Sequence, residues 1–272
     1  MDRFEVCFVN DRLVSRASAQ IEPTDRGLTL GDAVFETMRV RAGCVINMYR
    51  HLERLVAASE FLGFLTVPDT RALSAAIEET RAANGIIEGV LRLTVTRGPG
   101  GRGLAPAQDL RPTVIIVGSA LPVRSLGFRA VTASVTRRNE QSPSSRIKST
   151  NYLDNILALR EAISRGADDA LLLNTRGHVV CFSAANLFAR LGPVLITPPL
   201  ADGVLPGTVR GRMLEQLPIE EVSLTLAELV LADEIIATNC LGIRQLVELD
   251  SKTISSESIL LSRSQAVYAA MT

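Results

Sequence analysis

The stretch "IKSTNYLDNILALREAISRGADDALLLN", residues 147–174, decides how this chain is read. It begins in a polar loop that holds Lys148. Apolar residues at helical spacing follow over 151–166, and the apolar run after Asp169 opens a hairpin. The chain carries 29 Lys plus Arg, yet only Lys148 and Lys252 are lysines. On a solvated surface the two cations exchange at little cost. Only the lysine amine can shed a proton and attack a carbonyl carbon. A chain that otherwise writes its cations as arginine, and still keeps a lysine in the loop joining a strand to a helix, points to a Schiff base at Lys148.

Upstream, strands come as hairpins and helices follow them. "CFVNDRLV" turns at Asn10-Asp11, and "AVFETMRVRAGCVINM" turns at Arg41-Ala42-Gly43. "YRHLERLVAASEFLGF" sets Leu52, Leu55, Val56 and Ser59 at helical spacing and closes near Gly63. "DTRALSAAIEETRAANG" is a second helix, with Asp69 as N-cap and Gly85 as the C′ residue. "VLRLTVTRG" alternates, with Leu91, Leu93 and Val95 on one face, and "PTVIIVG" is a buried strand. A connector at 120–127 divides a small N-terminal α/β domain, 1–119, from a larger C-terminal α/β domain, 128–272, that carries the lysine. The second part opens with the strand "FRAVTASVT". Beyond the lysine loop and its helix, "ADDALLLNTRGHVVCFSAANLFARL" reads as one hairpin turning at Asn174–Gly177. "GTVRGRMLEQL" is a helix, "TLAE" at 225–228 a capping box, "DEIIATN" and "RQLVELD" strands, and "SESILLSRSQAVYAAM" a closing helix. Hairpins in place of regular βαβ units predict an α/β chain of mixed, largely antiparallel sheets.

Composition narrows the function. Formal net charge is zero, so no global field draws nucleic acid or anionic lipid. Aromatics are 4% with no tryptophan, so stacking platforms for single-stranded nucleic acid are absent. No apolar run approaches the roughly 20 residues a membrane helix needs. The opening "MDRFEVCFVNDRLV" alternates like a strand and lacks a signal-peptide core, so a cytoplasmic location is expected. Cys7, Cys44, Cys181 and Cys240 form no C-x-x-C pair, and the only histidines are His51 and His178. Zinc is not expected, and the cysteines are expected reduced. A hydrolase triad is not supported: there is no third histidine and no serine elbow. His51 beside its apolar stripe reads as structural, and His178 as a solvated hairpin-tip residue.

"RGPGGRG" at 97–103 fits G-x-G-x-x-G literally, at Gly98, Gly100 and Gly103. No helix follows it: "LAPAQDLRP" has two prolines and no apolar period. A pyrophosphate would find neither helix dipole nor backbone donors there, so the dinucleotide reading is rejected. Two readings stay open, a plain glycine-rich hairpin loop and a loop that places Arg97 or Arg102 over a carboxylate.

Several stretches occur together in one order: "DRGLTLGDAVFETMRV" (25–40), "HLERL" (51–55), "IKSTNYLDNILALREAISRGADDALLLN" (147–174), "SAANLF" (183–188), "LITPPLADGVLPGTVR" (195–210) and "LADEIIATN" (231–239). On these the chain resembles the fold-type IV (class IV) pyridoxal-phosphate enzymes, which include branched-chain and D-amino-acid aminotransferases and aminodeoxychorismate lyase. The resemblance implies a two-domain fold with pyridoxal 5'-phosphate in the cleft, a homodimer, and a small amino or carboxylate substrate. It implies that Lys148 holds the cofactor as an imine and shuttles the proton. Arg54 would pair with the phosphate and Tyr152 would face the ring hydroxyl. Ser183 and Ala184 would line the cofactor, and Gly207, Thr208 and Val209 would bring a helix N-terminus to the phosphate. Asn239 and Cys240 would close the phosphate cup. That helix role also follows from physics, since aligned N–H groups favour an anion. Within the family, "TRGPGGRGL", "SAANLF" and Thr37 of "FETMRV" resemble the lyase most. Thr37 would assist proton transfer, and the loop arginines would hold substrate carboxylates. The implied reaction is elimination of pyruvate from 4-amino-4-deoxychorismate, giving 4-aminobenzoate for folate, with an aminotransferase as the alternative.

The chain departs from the family at one telling place. The family sets a glutamate against the pyridine nitrogen, and here that position is Cys181. A thiol with a pKa near about 8.5 cannot stand in for a carboxylate. Val209 and Cys240 also stand where aminotransferases often have threonine. The loss at 181 favours the lyase over the transaminase. It also opens a third reading, a reassigned or pyridoxal-phosphate-free relative.

Overall fold

Alternating apolar residues build the first sheet of this chain, whose computed structural model describes residues 4–66, 69–254 and 257–272. Two units emerge: Met1–Pro122 with Lys148–Asn151 and Thr272, and Val123–Ile147 with Tyr152–Met271.

In the first unit, Val6–Val9 (β1) and Arg12–Ser15 (β2) form a hairpin over Asn10, whose φ of 61° suits asparagine. A short helix, Arg26–Leu30 (α1), leads into Ala33–Arg41 (β3) and Cys44–Val45 (β4). Met48–Phe61 (α2) and Thr70–Ala83 (α3) follow, then Gly89–Thr96 (β5) and Val114–Ser119 (β6). The sheet runs β2-β1-β6-β5-β3-β4 and every pairing is antiparallel. Register sets Val34 against Val95, Glu36 against Leu93 and Met38 against Leu91, so these side chains share one face. Leu52 and Leu55 of α2 and Leu73 and Ile77 of α3 are buried with them. Each large apolar side chain so buried contributes about 1.5–3 kcal/mol. Asp69 caps α3 by accepting the Arg71 N–H at 3.0 Å, and Gly63 and Gly85 follow α2 and α3 at φ 70° and 59°.

The second unit contains Gly127–Thr132 (β7), Leu153–Ser164 (α4), Asp169–Leu173 (β8), Val179–Phe182 (β9), Ala185–Leu191 (β10) and Val194–Thr197 (β11). Thr208–Gln216 (α5), Ile219–Glu221 (β12), Leu226–Leu229 (α6), Glu234–Asn239 (β13), Gly242–Leu249 (β14), Lys252–Thr253 (β15) and Ile259–Ala269 (α7) complete it. Ser256, at the start of the stretch read as the closing helix, lies outside the described residues. The stretch after Asp168 is not the single hairpin the sequence suggested. It makes three strands, because the chain turns a second time at Ser183-Ala184. β9 then pairs with both β8 and β10, so β10-β13-β14-β7-β8-β9 closes on itself. Phe128, Leu187, Ala237 and Leu246 lie in its buried cluster, where Phe128 meets Phe182 edge to face with centroids 5.0 Å apart. Closure removes exposed strand edges. β7 runs parallel to β8 and β14, and β11 to β12; the remaining pairs are antiparallel. Thr225 and Glu228 form the expected capping box of α6. Buried Glu234 accepts the N–H groups of Leu260 and Leu261, each at 2.7 Å, at the start of α7.

The lysine loop departs from the sequence expectation. Lys148–Asn151 groups with the first unit, not with 128–272. The reason is backbone pairing: Ser149 bridges to Val34, the Phe35 N–H donates to Lys148 O at 2.9 Å, and the Thr150 N–H donates to Ala33 O at 3.0 Å. Among the described residues no helix is long and apolar enough to cross a membrane.

Candidate active site

In the first unit the backbone, rather than the side chain, fixes Lys148. Besides the two rungs on β3, Thr150 Oγ1 and Asn151 Nδ2 both donate to Gly31 O, at 3.1 and 3.0 Å. The half-buried amine then lies 4.1 Å from the Phe35 ring centroid, and Arg92 Cζ lies 3.8 Å from the same centroid. Such cation–π contacts contribute about 0.5–2 kcal/mol each. Phe35 and Thr37 share a face of β3, and Arg92 stands directly opposite Thr37 in register. Arg92 was not singled out from the sequence. Its signal was weak, because an exposed arginine on a strand face is ordinary.

Arg54, on α2, meets Glu36 on β3. Its Nε and Nη2 donate to the two carboxylate oxygens at 2.7 and 2.6 Å, and His51 Nδ1 lies 2.6 Å from Glu36 Oε2. Glu36 is 1% exposed. Burial would raise its pKa, but the Arg54 charge and the His51 contact outweigh that and hold it at about 2. Glu36 was legible in principle. It falls in the buried row Val34, Glu36, Met38, Val40, and a carboxylate there needs partners.

The sequence left open a plain loop or one that places Arg97 or Arg102 over a carboxylate; in the structure Arg97 is engaged with Asp32. Its Nε and Nη2 fork onto Asp32 at 2.6 and 3.1 Å. Nη1 donates to Gly63 O at 2.9 Å and Nη2 to Leu62 O at 2.6 Å, and the guanidinium lies 4.5 Å over Phe64. Arg97 therefore fastens the end of α2 to the Asp32 turn. Asp32, which also takes Arg26 Nε at 3.0 Å, is held below the usual carboxylate range: burial pushes it up, and the two arginines more than offset this. Arg102 stands exposed on the loop.

In the second unit four of the named segments come together. Asp169 Oδ1 accepts both the N–H and the hydroxyl of Ser183, and Asn155 Nδ2 donates to Ser183 O at 2.7 Å. Asn239 Nδ2 donates to Ala184 O at 3.0 Å, while Asn239 Oδ1 accepts the Leu241 N–H at 2.9 Å. Cys240 O accepts the Tyr268 hydroxyl at 2.8 Å. Asn186, paired with Thr238, donates to Leu205 O at 2.9 Å just before Gly207. A Cβ on Gly207 would overlap Asn186 Oδ1, so glycine permits this approach. Gly207 is the N-cap of α5 with extended backbone, φ −68° and ψ 143°, and makes no side-chain cap; Thr208 and Val209 are buried in the first turn. Backbone N–H groups there and the positive end of the helix favour an anion. Tyr152 occupies the N-cap position of α4.

Cys181, on β9, is 9% exposed and pairs with Leu172 and Asn186. Burial pushes its thiol up to about 11; the Arg138 charge opposes this and Asp169 adds to it. The thiol is thus neutral at neutral pH. At about pH 8, iodoacetamide is expected to label exposed Cys44 quickly and to spare Cys181 until the protein is unfolded. Peptide mass mapping checks this, and equal labelling rates at the two sites would contradict a buried neutral thiol. Each unit by itself holds a feature suited to part of a phosphorylated pyridine aldehyde: an anchored amine at Lys148 in the first, and a helix N-terminus fronted by Gly207 in the second. The position where the resemblance implies a glutamate holds this buried thiol, which does not replace a carboxylate. Among the described residues no cluster of three His, Cys, Asp or Glu could hold a metal ion.

The chain is 32% identical over 263 residues to a Methanocaldococcus jannaschii protein named "Putative branched-chain-amino-acid aminotransferase", covering 93% of this chain and 90% of that one. It is 29% identical over 240 residues to a Bacillus subtilis protein named aminodeoxychorismate lyase, covering 85% and 82%. A crystal structure of a branched-chain aminotransferase from Thermoproteus uzoniensis superposes with a TM-score of 0.89 at 28% identity, covering 96% and 93%. The family model described as "Amino-transferase class IV" matches residues 33–249. On that match the chain belongs to the class IV aminotransferases, a family of pyridoxal-phosphate enzymes.

Proposed function

We propose that this enzyme is a lyase that eliminates pyruvate from 4-amino-4-deoxychorismate and leaves 4-aminobenzoate. The buried, neutral thiol of Cys181 carries this reading. Bound pyridoxal phosphate supplies an aldehyde for amine chemistry and a ring that withdraws electrons. Transamination depends heavily on that withdrawal, which a carboxylate at the ring nitrogen sustains. An elimination that ends in an aromatic product has its own driving force, so a thiol at position 181 handicaps it less.

Lys148 would hold the cofactor, and its amine would take and return the proton, with Thr37 assisting. Arg54, Tyr152, Ser183, Ala184, Gly207, Thr208, Val209, Asn239 and Cys240 would hold the cofactor, with Cys181 at the position the resemblance gives to the ring-nitrogen residue. Arg92 would take the substrate-carboxylate role first expected of Arg97 or Arg102. Its exposed guanidinium shares the Phe35 ring with the Lys148 amine, and a guanidinium forks naturally onto a carboxylate. The assembly is read as a homodimer, as the resemblance implies.

Aminotransfer is the second reading, favoured by the 32% identical relative that carries an aminotransferase name. The product decides between them. The lyase releases pyruvate with no keto-acid acceptor, while a transaminase turns over only when one is added. Cys181→Glu is expected to raise the transamination half-reaction on the order of tenfold, because a carboxylate beside the ring nitrogen favours its protonated form. Stopped-flow absorbance in single turnover checks this, and an unchanged rate would count against the ring-nitrogen argument.

A further inference from the structure

Helix α4 is apolar on two sides. Its inner side carries Asn155, Ala158 and Ala162, which are buried, and the two alanines belong to a core cluster with Val131, Leu172 and Val180. Its outer side carries the larger apolar residues. Leu153, Ile156, Leu157 and Ile163 are 67, 57, 39 and 63% exposed. At 3.6 residues per turn these four fall on one face of the helix, with Arg160 among them and the alanines opposite. An ordinary surface helix does the reverse, turning its large aliphatic side chains to the core and polar ones to water. Single exposed aliphatic residues are common. A contiguous row of four on one helix marks a surface that another molecule covers.

The chemistry of the row selects its occupant. A lipid surface calls for a basic rim, and the row holds one cation, Arg160, in a chain of zero formal net charge. A second copy of this chain suits it better. Most soluble oligomers are built on two-fold axes, across which one patch meets itself. Asp154 and Arg160 are both exposed, and they lie on either side of Leu157, each three residues from it. Where two α4 helices cross antiparallel at Leu157, Asp154 comes level with Arg160 of the partner subunit, so opposite charges accompany the apolar contact. Zero net charge on each copy removes long-range repulsion between them. Stable interfaces of standard size bury about 800 Å² per partner around an apolar core, and the four aliphatic side chains supply such a core.

We propose that the outer face of α4 is a self-association surface, on which a second copy of this chain docks antiparallel at Leu157. The proposal names the contact surface of the homodimer read above, and it rests on that reading. Removal of the four aliphatic side chains from water drives the docking.

The test is sedimentation of the full-length protein over a concentration series. Wild type is expected to sediment as a dimer. Ile156→Glu is expected to weaken dimerisation by at least about 100-fold, because a two-fold interface carries the change twice and buries an unpaired carboxylate each time. Ile163→Glu should do the same, and it serves if Ile156→Glu does not fold. Leu231→Glu introduces the same charge at an exposed leucine outside α4, and should leave the dimer affinity within about twofold of wild type. The crossing point is read by cross-linking. With exposed Cys44 replaced by serine, Leu157→Cys is expected to yield a disulfide-linked dimer under copper phenanthroline, and the Cys44→Ser chain alone to yield none. A monomeric wild type overturns the homodimer reading, and the proposal falls with it. A dimeric wild type whose affinity survives Ile156→Glu and Ile163→Glu overturns the proposal alone. So does an equal loss in Leu231→Glu, or a Leu157→Cys dimer that does not cross-link.

Discussion

Lys148→Ala is expected to abolish turnover, by at least about 10⁴-fold, while the protein stays folded. The loss is chemical. No other side chain named in the first unit's site is an amine that can form an imine, and alanine can neither hold an aldehyde carbon nor carry a proton. The fold survives because the segment is tied through its backbone. Lys148 O, the Thr150 N–H and the Ser149 bridge to Val34 do not depend on the side chain at 148. The contact with the Phe35 ring, which alanine forfeits, is worth about 0.5–1 kcal/mol at a partly exposed site. Lys148→Arg is the sharper control. It keeps a cation able to lie over Phe35, yet it cannot form the imine, so it should be as dead as alanine and slightly more stable. Borohydride reduction of wild type in the presence of pyridoxal phosphate should add the cofactor's mass to the peptide containing residue 148, and to no peptide of either variant. Retention of a tenth of wild-type activity by Lys148→Ala, or an unmodified wild-type peptide, would end the assignment.

The second large effect concerns stability. Gly98→Ala is expected to cost about 3 kcal/mol, by adding strain at a positive φ to overlap with a backbone atom. Gly98 has φ 99°, and a Cβ there would collide with the carbonyl oxygen of Arg111. No side-chain rotation relieves that contact, and the surrounding chain is pinned. The Gly98 N–H donates to Thr96 Oγ1 at 2.9 Å and its carbonyl accepts the Arg26 N–H at 3.0 Å. Thr96 and Thr113 in turn donate to buried Asp25, at 2.9 and 2.6 Å. The midpoint of thermal unfolding should fall by roughly 6–12 °C. Gly101→Ala, three residues along, meets nothing within 4 Å and should change stability by less than about 0.5 kcal/mol. Equal midpoints for the two variants would show that close approach is not why residue 98 is glycine. The comparison also accounts for the look of "RGPGGRG". Its first glycine lets one strand of backbone pass against another, and the resemblance to a phosphate-binding fingerprint is incidental.

Where an element is decided by its own few residues, reading the sequence was enough. Asn10 and Gly43 turn their hairpins at positive φ, Asp69 caps α3 with its own carboxylate, and Thr225 and Glu228 bond reciprocally at α6. The alternation of Leu91, Leu93 and Val95 became a buried face. The misses share a different cause. The second turn at Ser183-Ala184 lies inside an apolar run with no Gly, Pro or Asn at the bend. It is held by Asp169 and Asn239, 14 and 55 residues away in the chain. Arg97 looked like a candidate substrate ligand because local sequence cannot show that Asp32, 65 residues upstream, already occupies it. Arg92 went unnamed for the matching reason: what distinguishes it is the ring it shares with a lysine 56 positions later, which no window of sequence contains.

The sequence by itself determined the kinds of element, the type of reactive group at 148, the glycine before a helix N-terminus at 207, and the absence of a carboxylate at 181. These depend on residue type and short spacing, which fix backbone preference and intrinsic chemistry. Only the tertiary structure decided which unit holds the lysine loop, that β9 closes a ring of strands, and which arginine is tied down and which lies beside the amine. Those outcomes turn on pairing between residues far apart in the chain. There a buried charge takes whichever partner the fold brings within about 3 Å, because leaving it unpaired costs several kcal/mol.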